Sequence, residues 1–316
     1  MPSVGVVGLN YWGPNLVRNF ADLADLTWLC DLEEQHLSPV AARHPQARAT
    51  QSFDDLLADE SLDAVVIATP VPTHYALAKQ ALEAGKHVFV EKPPAMRAAE
   101  MDELVTLAEQ RDRVLMPGHL LLYHPAVATL KELIENGELG DVLCVYGQRV
   151  NLGIVRSNEN ALWSLGVHDL SVILYLLDED PELATAQGSW SIHEGVEDVV
   201  FCFLRFPSGK IAHMHLSWLD PHKMRKMTVV GREKMAVFDD MEPERKVTLY
   251  EKSAGPHGEL RSGDIHIPKI STAEPLRLEC TYFLELVAGE HDRGKVARDG
   301  ARVVRALEML TNSLDG

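Results

Sequence analysis

The sequence predicts an α/β chain: a doubly wound parallel sheet over residues 1–120, then an α+β domain with a mainly antiparallel open sheet over residues 121–316. Three features predict it. Up to about residue 120, short apolar runs rich in β-branched residues alternate with segments of helical spacing, which is the grammar of βαβ units. A glycine-bearing turn joins the first run to the first helix. Beyond that point the strand-like runs follow one another with no helix between them, as in antiparallel sheets.

The expected parallel strands are residues 4–9, 26–31, 63–69, 87–91 and 114–120. Each is apolar throughout, as strands buried on both faces are. Helical spacing predicts helices over 14–23, 52–58, 72–84 and 98–110, with Ser52 as an N-cap and Gly85 as a C-terminal glycine. In the second half, helices are expected over 125–135 and 162–177. Strands follow over 199–206, 210–218, 227–230, 235–238 and 247–250, and helices over 275–288 and 301–314 close the chain.

The 316 residues suit about two domains. With 46% hydrophobic and 24% charged residues, the chain can fold on its own core. Its net charge of −17 repels nucleic acid and anionic membranes, and neither is an expected partner. The four cysteines are scattered through apolar segments with no C-x-x-C, as free thiols in a reducing cytoplasm would be. No apolar run approaches the roughly 18 residues of a membrane span, and no signal peptide is evident at the N-terminus. His213 and His215 alternate on one predicted strand, but no further ligand at metal spacing joins them, so no metal is expected.

The first strand runs into Gly8-Leu9-Asn10-Tyr11-Trp12-Gly13, which has the layout of the dinucleotide fingerprint G-x-G-x-x-G. Gly8 would make the tight turn, and Gly13 would let helix and strand pack closely. Asn10 stands in place of the second glycine, and Asn tolerates left-handed backbone better than most residues. Asp31 ends the second strand, where an acid about 20 residues on holds the adenosine ribose hydroxyls. Glu33 and Glu34 follow, with no Arg or Lys nearby, so a 2′-phosphate would be repelled. NAD is therefore the expected cofactor.

Ala68-Thr69-Pro70-Val71-Pro72-Thr73-His74 and the run from Ala81 to Glu91-Lys92-Pro93 bring in a resemblance. With Gly118-His119, His124-Pro125-Ala126, Gly140-Asp141 and Gly166-Val167-His168-Asp169, they are similar to the Gfo/Idh/MocA family of NAD(P)-dependent oxidoreductases over nearly the whole chain. The resemblance implies Lys92 and His168 as catalytic groups; a cis peptide at Pro93 would suit a tight functional turn, and the sequence leaves cis and trans open. It implies cofactor contacts from Tyr11, Trp12, Thr69, Pro70, Thr73, His74, Glu91 and Lys92, with Trp163 bordering the nicotinamide. Many relatives carry an Asp four residues before the histidine; here that position is Ser164. His168 would then act with Lys92, or be oriented by Asp169 or a water.

Tyr123 and His124 stand where the family places substrate contacts. Arg149, Asn151, Arg156 and Asn158 form a polar, partly basic stretch that reads either as a clamp for a phosphorylated substrate or as a solvated loop. Residues 11–20 and 160–164 look closest to family members acting on nucleotide sugars. The expectation is oxidation of the C3 hydroxyl of UDP-N-acetylglucosamine. The cofactor motifs leave open an inositol or free-sugar dehydrogenase, a redox-neutral enzyme that retains NAD, and a non-catalytic NAD-binding regulator. A sheet face with Val199, Phe201, Phe203, Ile211 and His213 suggests a homodimer or homotetramer.

Overall fold

The computed structural model describes residues 1–157, 159–255 and 257–314. The chain opens with six parallel strands: β1 (Ser3–Val7), β2 (Asp25–Cys30), β3 (Arg48–Thr50), β4 (Ala64–Ile67), β5 (His87–Glu91) and β6 (Leu115–Gly118). They are interleaved with α1 (Gly13–Leu23), α2 (Glu34–Ala41), α3 (Phe53–Ala58), α4 (His74–Glu83) and α5 (Ala98–Arg111). The spatial order β3-β2-β1-β4-β5-β6 reverses direction at β1. That reversal is the switch point of a doubly wound sheet, beside which ligands bind at the strands' carboxyl ends.

The chain continues through α6 (Pro125–Glu135), β7 (Val142–Val150), α7 (Val167–Leu177), β8 (Leu183–Ser189), β9 (Val199–Arg205) and β10 (Ile211–Ser217). Next come β11 (Met224–Gly231), β12 (Met235–Asp239), β13 (Val247–Ala254) and β14 (Leu260–His266), then α8 (Pro275–Ala288) and α9 (Lys295–Leu314). The eight strands follow the order β14-β13-β12-β11-β7-β10-β9-β8. Every neighbouring pair is antiparallel except β7 with β10, which run parallel. α6 and α7 pack against one side of this sheet. On the other side Phe201 stacks on His215 with ring centroids 4.4 Å apart, and Tyr146 stacks on His213 at 5.0 Å.

The chain forms two compact units: Met1–Leu120 with Glu274–Arg305, and Leu121–Ala273 with the chain from Ala306 onward. Helix α8 thus belongs to the unit of the parallel sheet. Its Phe283 meets Phe20 of α1 and Phe89 of β5 edge to face, with centroids 6.0 and 5.7 Å apart. All three rings are fully buried. Such pairs add about 0.5–1.5 kcal/mol each beyond the area they bury.

Several elements lie outside the expected pattern. β3 is three residues long, Gly147, Gln148 and Arg149 interrupt the apolar run of β7, and β14 is exposed at every position, so none shows a strong apolar period. α9 begins at Lys295, six residues before the expected start at 301. The helix expected over 162–177 begins as a π-helical stretch, Leu162–Gly166, before α7 takes α geometry. Trp190 is half exposed, whereas Trp218 is buried. Among the described residues no helix is long and apolar enough to cross a membrane.

Glu279 is the most unusual core residue. It is fully buried on α8, and neither carboxyl oxygen has a hydrogen-bond partner among the described residues. Burial, and then the charge of Glu91, push its carboxyl well above the ordinary range. The folded chain therefore keeps a proton that the unfolded chain gives up, and stability is full below the unfolded value and falls as pH rises above it. Glu279→Gln keeps the shape and removes the ionisation. Its melting temperature is expected to gain on the natural chain between about pH 5 and about pH 8.5, with thermal melts at both values as the check.

Candidate active site

At the end of β1 the chain turns at Gly8 with φ of +89°, a conformation in the left-handed region that favours glycine. A Cβ there would lie 2.7 Å from the backbone of Ala68 and Thr69. Gly13 is tighter still, since a Cβ would overlap the Gly8 carbonyl oxygen. Backbone therefore packs on backbone where α1 begins. The first turn of α1 has no acidic residue, and Trp12 at its N-cap makes no side-chain cap bond. The positive dipole end of that turn fits a pyrophosphate. Asp112 and Asp178 are the non-glycine residues with positive φ among those described. Asn10 thus holds the second fingerprint position in ordinary backbone geometry, without using the left-handed conformation that Asn tolerates.

Asp31 is built into this turn. Leu9 N–H donates to its Oδ2 at 2.7 Å and Glu33 N–H to its Oδ1 at 2.9 Å. His36 lies 3.6 Å from Oδ1. A carboxylate has about four acceptor positions, so lone pairs remain for ribose hydroxyls.

The turns after β4 and β5 are stapled together by His74. This buried imidazole lies 2.7 Å from the Thr69 carbonyl oxygen through Nε2 and 2.8 Å from the Pro93 carbonyl oxygen through Nδ1. The Thr69 and Thr73 hydroxyls pair at 2.7 Å in the first turn. In the second, the Lys92–Pro93 peptide is cis.

Glu91 and Lys92 stand at the carboxyl end of β5. Burial raises the Glu91 carboxyl to about 7, against the opposing pull of Lys92 and a side-chain hydrogen bond from Trp12. Gly118 gives it room, since a Cβ there would press on the carboxyl at 3.3 Å. In the β5–β6 register Glu91 pairs with Gly118, so Lys92 and His119 leave adjacent strands at matched positions. His119 is buried, and neither ring nitrogen has a hydrogen-bond partner among the described residues. Burial, helped by the charge of Lys92, holds it down at about 4, a neutral imidazole at pH 7.

In the second unit, His168 and Asp169 lie in the first turn of α7. Arg149 of β7 donates to Asp169 Oδ1 from Nε at 2.9 Å and from Nη2 at 2.7 Å, with both side chains about 95% buried. Removing one member of such a pair costs about 3–5 kcal/mol, because the other charge stays buried. Arg149 is thus committed to Asp169. Ser164 is buried in the π-helical stretch, and Trp163 beside it gives its indole N–H to Thr311 Oγ1 at 3.0 Å. Tyr123 closes a short 3₁₀ turn before α6. His124 caps that helix, with Nδ1 accepting from Ala126 N–H at 3.0 Å. Asn151 donates its backbone N–H to the Ser217 carbonyl at 3.0 Å, and Arg156 pairs with Glu159 at 2.8 Å. Asn158 lies outside the described residues.

Residues 3–119 match the family profile "Oxidoreductase family, NAD-binding Rossmann fold", and residues 127–237 match "GFO/IDH/MocA C-terminal domain". The chain belongs to the Gfo/Idh/MocA oxidoreductase family. As a family member it is an NAD-binding oxidoreductase. UDP-N-acetylglucosamine 3-dehydrogenase of Acidithiobacillus ferrooxidans is 28% identical over 252 residues, 79% of this chain and 77% of that protein. A solved structure of that enzyme superposes with a TM-score of 0.88 at 25% identity, covering 99% and 97% of the two chains. Myo-inositol 2-dehydrogenase of Thermotoga maritima is 26% identical over 258 residues, 78% of this chain and 77% of that protein. GenD2 from gentamicin A biosynthesis, solved in complex with NAD, superposes with a TM-score of 0.84 at 25% identity, covering 99% and 94%.

Two buried groups had no role assigned from the sequence, Glu279 and the His119 of the Gly118-His119 motif. Glu279 had a visible signal: Leu276, Cys280 and Phe283 make a helical stripe, and Glu279 falls inside it. His119 had a weaker one, its place just past the end of a parallel strand.

Asp31→Asn weakens the hold on the Leu9 N–H. The NAD dissociation constant is expected to rise about tenfold, as loss of one charge-assisted hydrogen bond implies, measured by quenching of tryptophan fluorescence.

Proposed function

We propose that the protein oxidises a secondary hydroxyl of a nucleotide sugar, the C3 hydroxyl of UDP-N-acetylglucosamine, with NAD as hydride acceptor. The observation that carries the reading is Lys92 at the carboxyl end of β5, on a turn stapled by His74, where a doubly wound sheet binds its ligands. The similarity to UDP-N-acetylglucosamine 3-dehydrogenase over 77% of that enzyme supports the substrate class.

NAD supplies the hydride acceptor when bound. The Lys92 ammonium donates a hydrogen bond to the substrate oxygen and stabilises its developing negative charge. His168 takes the hydroxyl proton, a task suited to an imidazole near pH 7. Asp31 holds the adenosine ribose, and Gly8, Asn10, Tyr11, Trp12 and Gly13 form the pyrophosphate turn. Thr69, Pro70, Thr73, Glu91 and Trp163 complete the cofactor contacts. Tyr123, Asn151, Arg156 and Ser164 contact the sugar nucleotide. Because two of its guanidinium nitrogens are spent on Asp169, Arg149 acts on helix α7 rather than on phosphate.

A free-polyol dehydrogenase is the second reading, favoured by the inositol dehydrogenase relative of similar coverage. Absorbance in the NADH band separates the two, with NAD and then NADP against UDP-N-acetylglucosamine, free sugars and inositols. A rise with NAD and the nucleotide sugar alone is expected. Lys92→Ala should lower kcat by about 10²–10³-fold and leave NAD affinity unchanged. Failure of every alcohol in the panel, or full turnover by Lys92→Ala, would overturn the reading.

The chain is also proposed to self-associate, as a dimer or tetramer, through the sheet face that carries the exposed rings of Phe201 and Phe203. Light scattering should give a multiple of the chain mass for the natural protein and a lower mass for Phe201→Glu. A monomeric natural protein would refute it.

A further inference from the structure

We propose that the Arg149–Asp169 pair is a positioning device that sets the orientation of His168, an inference that rests on the role given to His168 above. Asp169 and His168 are consecutive in the first turn of α7. Consecutive helical residues point about 100° apart around the axis, so holding Asp169 against β7 fixes the direction in which His168 leaves the helix.

The Arg149 fork joins the buried apolar side chains of α7 in fixing this helix start. The five residues before α7 are π-helical, and Gly166 at the N-cap makes no side-chain cap bond. A helix entered from a turn of different pitch needs its rotation set from outside. Arg149 supplies it from a rigid base: β7 lies inside the eight-stranded sheet between β10 and β11, and Arg149 is paired with Leu216 on one side and Arg225 on the other.

The local geometry is shaped around the same carboxylate. Both donated hydrogen bonds go to Oδ1, while Oδ2 has no partner among the described residues. Asp169 is therefore held by its single oxygen in the Arg149 fork. Gly147, two residues before Arg149 and so on the same side of β7, leaves the space Oδ2 occupies; a Cβ there would lie 3.1 Å from that oxygen. Gly166 likewise lets the π-helical stretch press on Leu216, where a Cβ would come within 2.7 Å of Cδ1. Backbone, glycines and ion pair all converge on the residue next to His168.

The test has two independent arms. In the full chain without substrate, the Hε1–Cε1 NMR signal of His168, assigned by its loss in His168→Asn, reports the ring directly. Asp169→Asn and Arg149→Met should move that signal and its titration midpoint, with the signal of His266 on the edge strand β14 unchanged. In turnover of UDP-N-acetylglucosamine with NAD, kcat should fall on the order of 10- to 100-fold, the scale of a small misplacement, while KM stays within about threefold. Arg149→Lys, which keeps the charge, should recover part of the loss.

If a lone buried charge prevents a single variant from folding, the Arg149→Met/Asp169→Asn double variant removes both charges and still displaces His168. A folded double variant with an unmoved His168 signal and kcat within about twofold of the natural chain would overturn the proposal. Full activity of His168→Asn together with a displaced signal in Asp169→Asn would uphold the positioning and remove the catalytic role of His168 instead.

Discussion

Gly13 lies so close to the carbonyl of Gly8 that no side chain fits between them. Much of the first unit follows from that contact. It sets where α1 starts and how near the helix lies to β1. It also places Trp12 to reach Glu91, and brings Phe20, two turns along, to the rings of Phe89 and Phe283. Asp31 then ties the same turn to the end of β2 through Leu9 N–H. A single methyl group at residue 13 would push the helix off the strand and disturb each of these in sequence.

A second theme is the burial of groups that water would otherwise solvate. Glu91, His119 and Glu279 share the unit of the parallel sheet, and each departs from ordinary titration because its charged form is poorly solvated there. The second unit buries charge differently, with Arg149 and Asp169 kept as an ion pair. Burial thus pushes Glu91, His119 and Glu279 toward their neutral forms, whereas Arg149 and Asp169 meet the desolvation cost by pairing. Folds tolerate such costs mainly where chemistry or precise placement requires them.

The fold and the cofactor side were largely legible before any coordinates. Apolar strands at regular intervals, the Gly8 to Gly13 turn and Asp31 are local signals, and local signals survive in sequence. The helices over 125–135 and 275–288 were also marked by their apolar period, and each appears with those limits. β14 escaped notice because an exposed edge strand needs no apolar face, and β7 because Gly147, Gln148 and Arg149 interrupt its alternation. Arg149 looked like a phosphate clamp for the same reason: a basic residue near other polar residues gives no sign that its partner lies 20 positions ahead.

The sequence by itself determined the alternation of strand and helix, the glycine turn after β1, the acid that ends β2 and the family to which the chain belongs. These depend on residue type and short spacing, which a linear string carries. Tertiary structure decided that Glu279 is a core acid, that His74 staples two turns, that Asn10 keeps ordinary backbone geometry, and that Arg149 holds Asp169. Burial and pairing are set by segments far apart along the chain, so they exist only once strands and helices have packed.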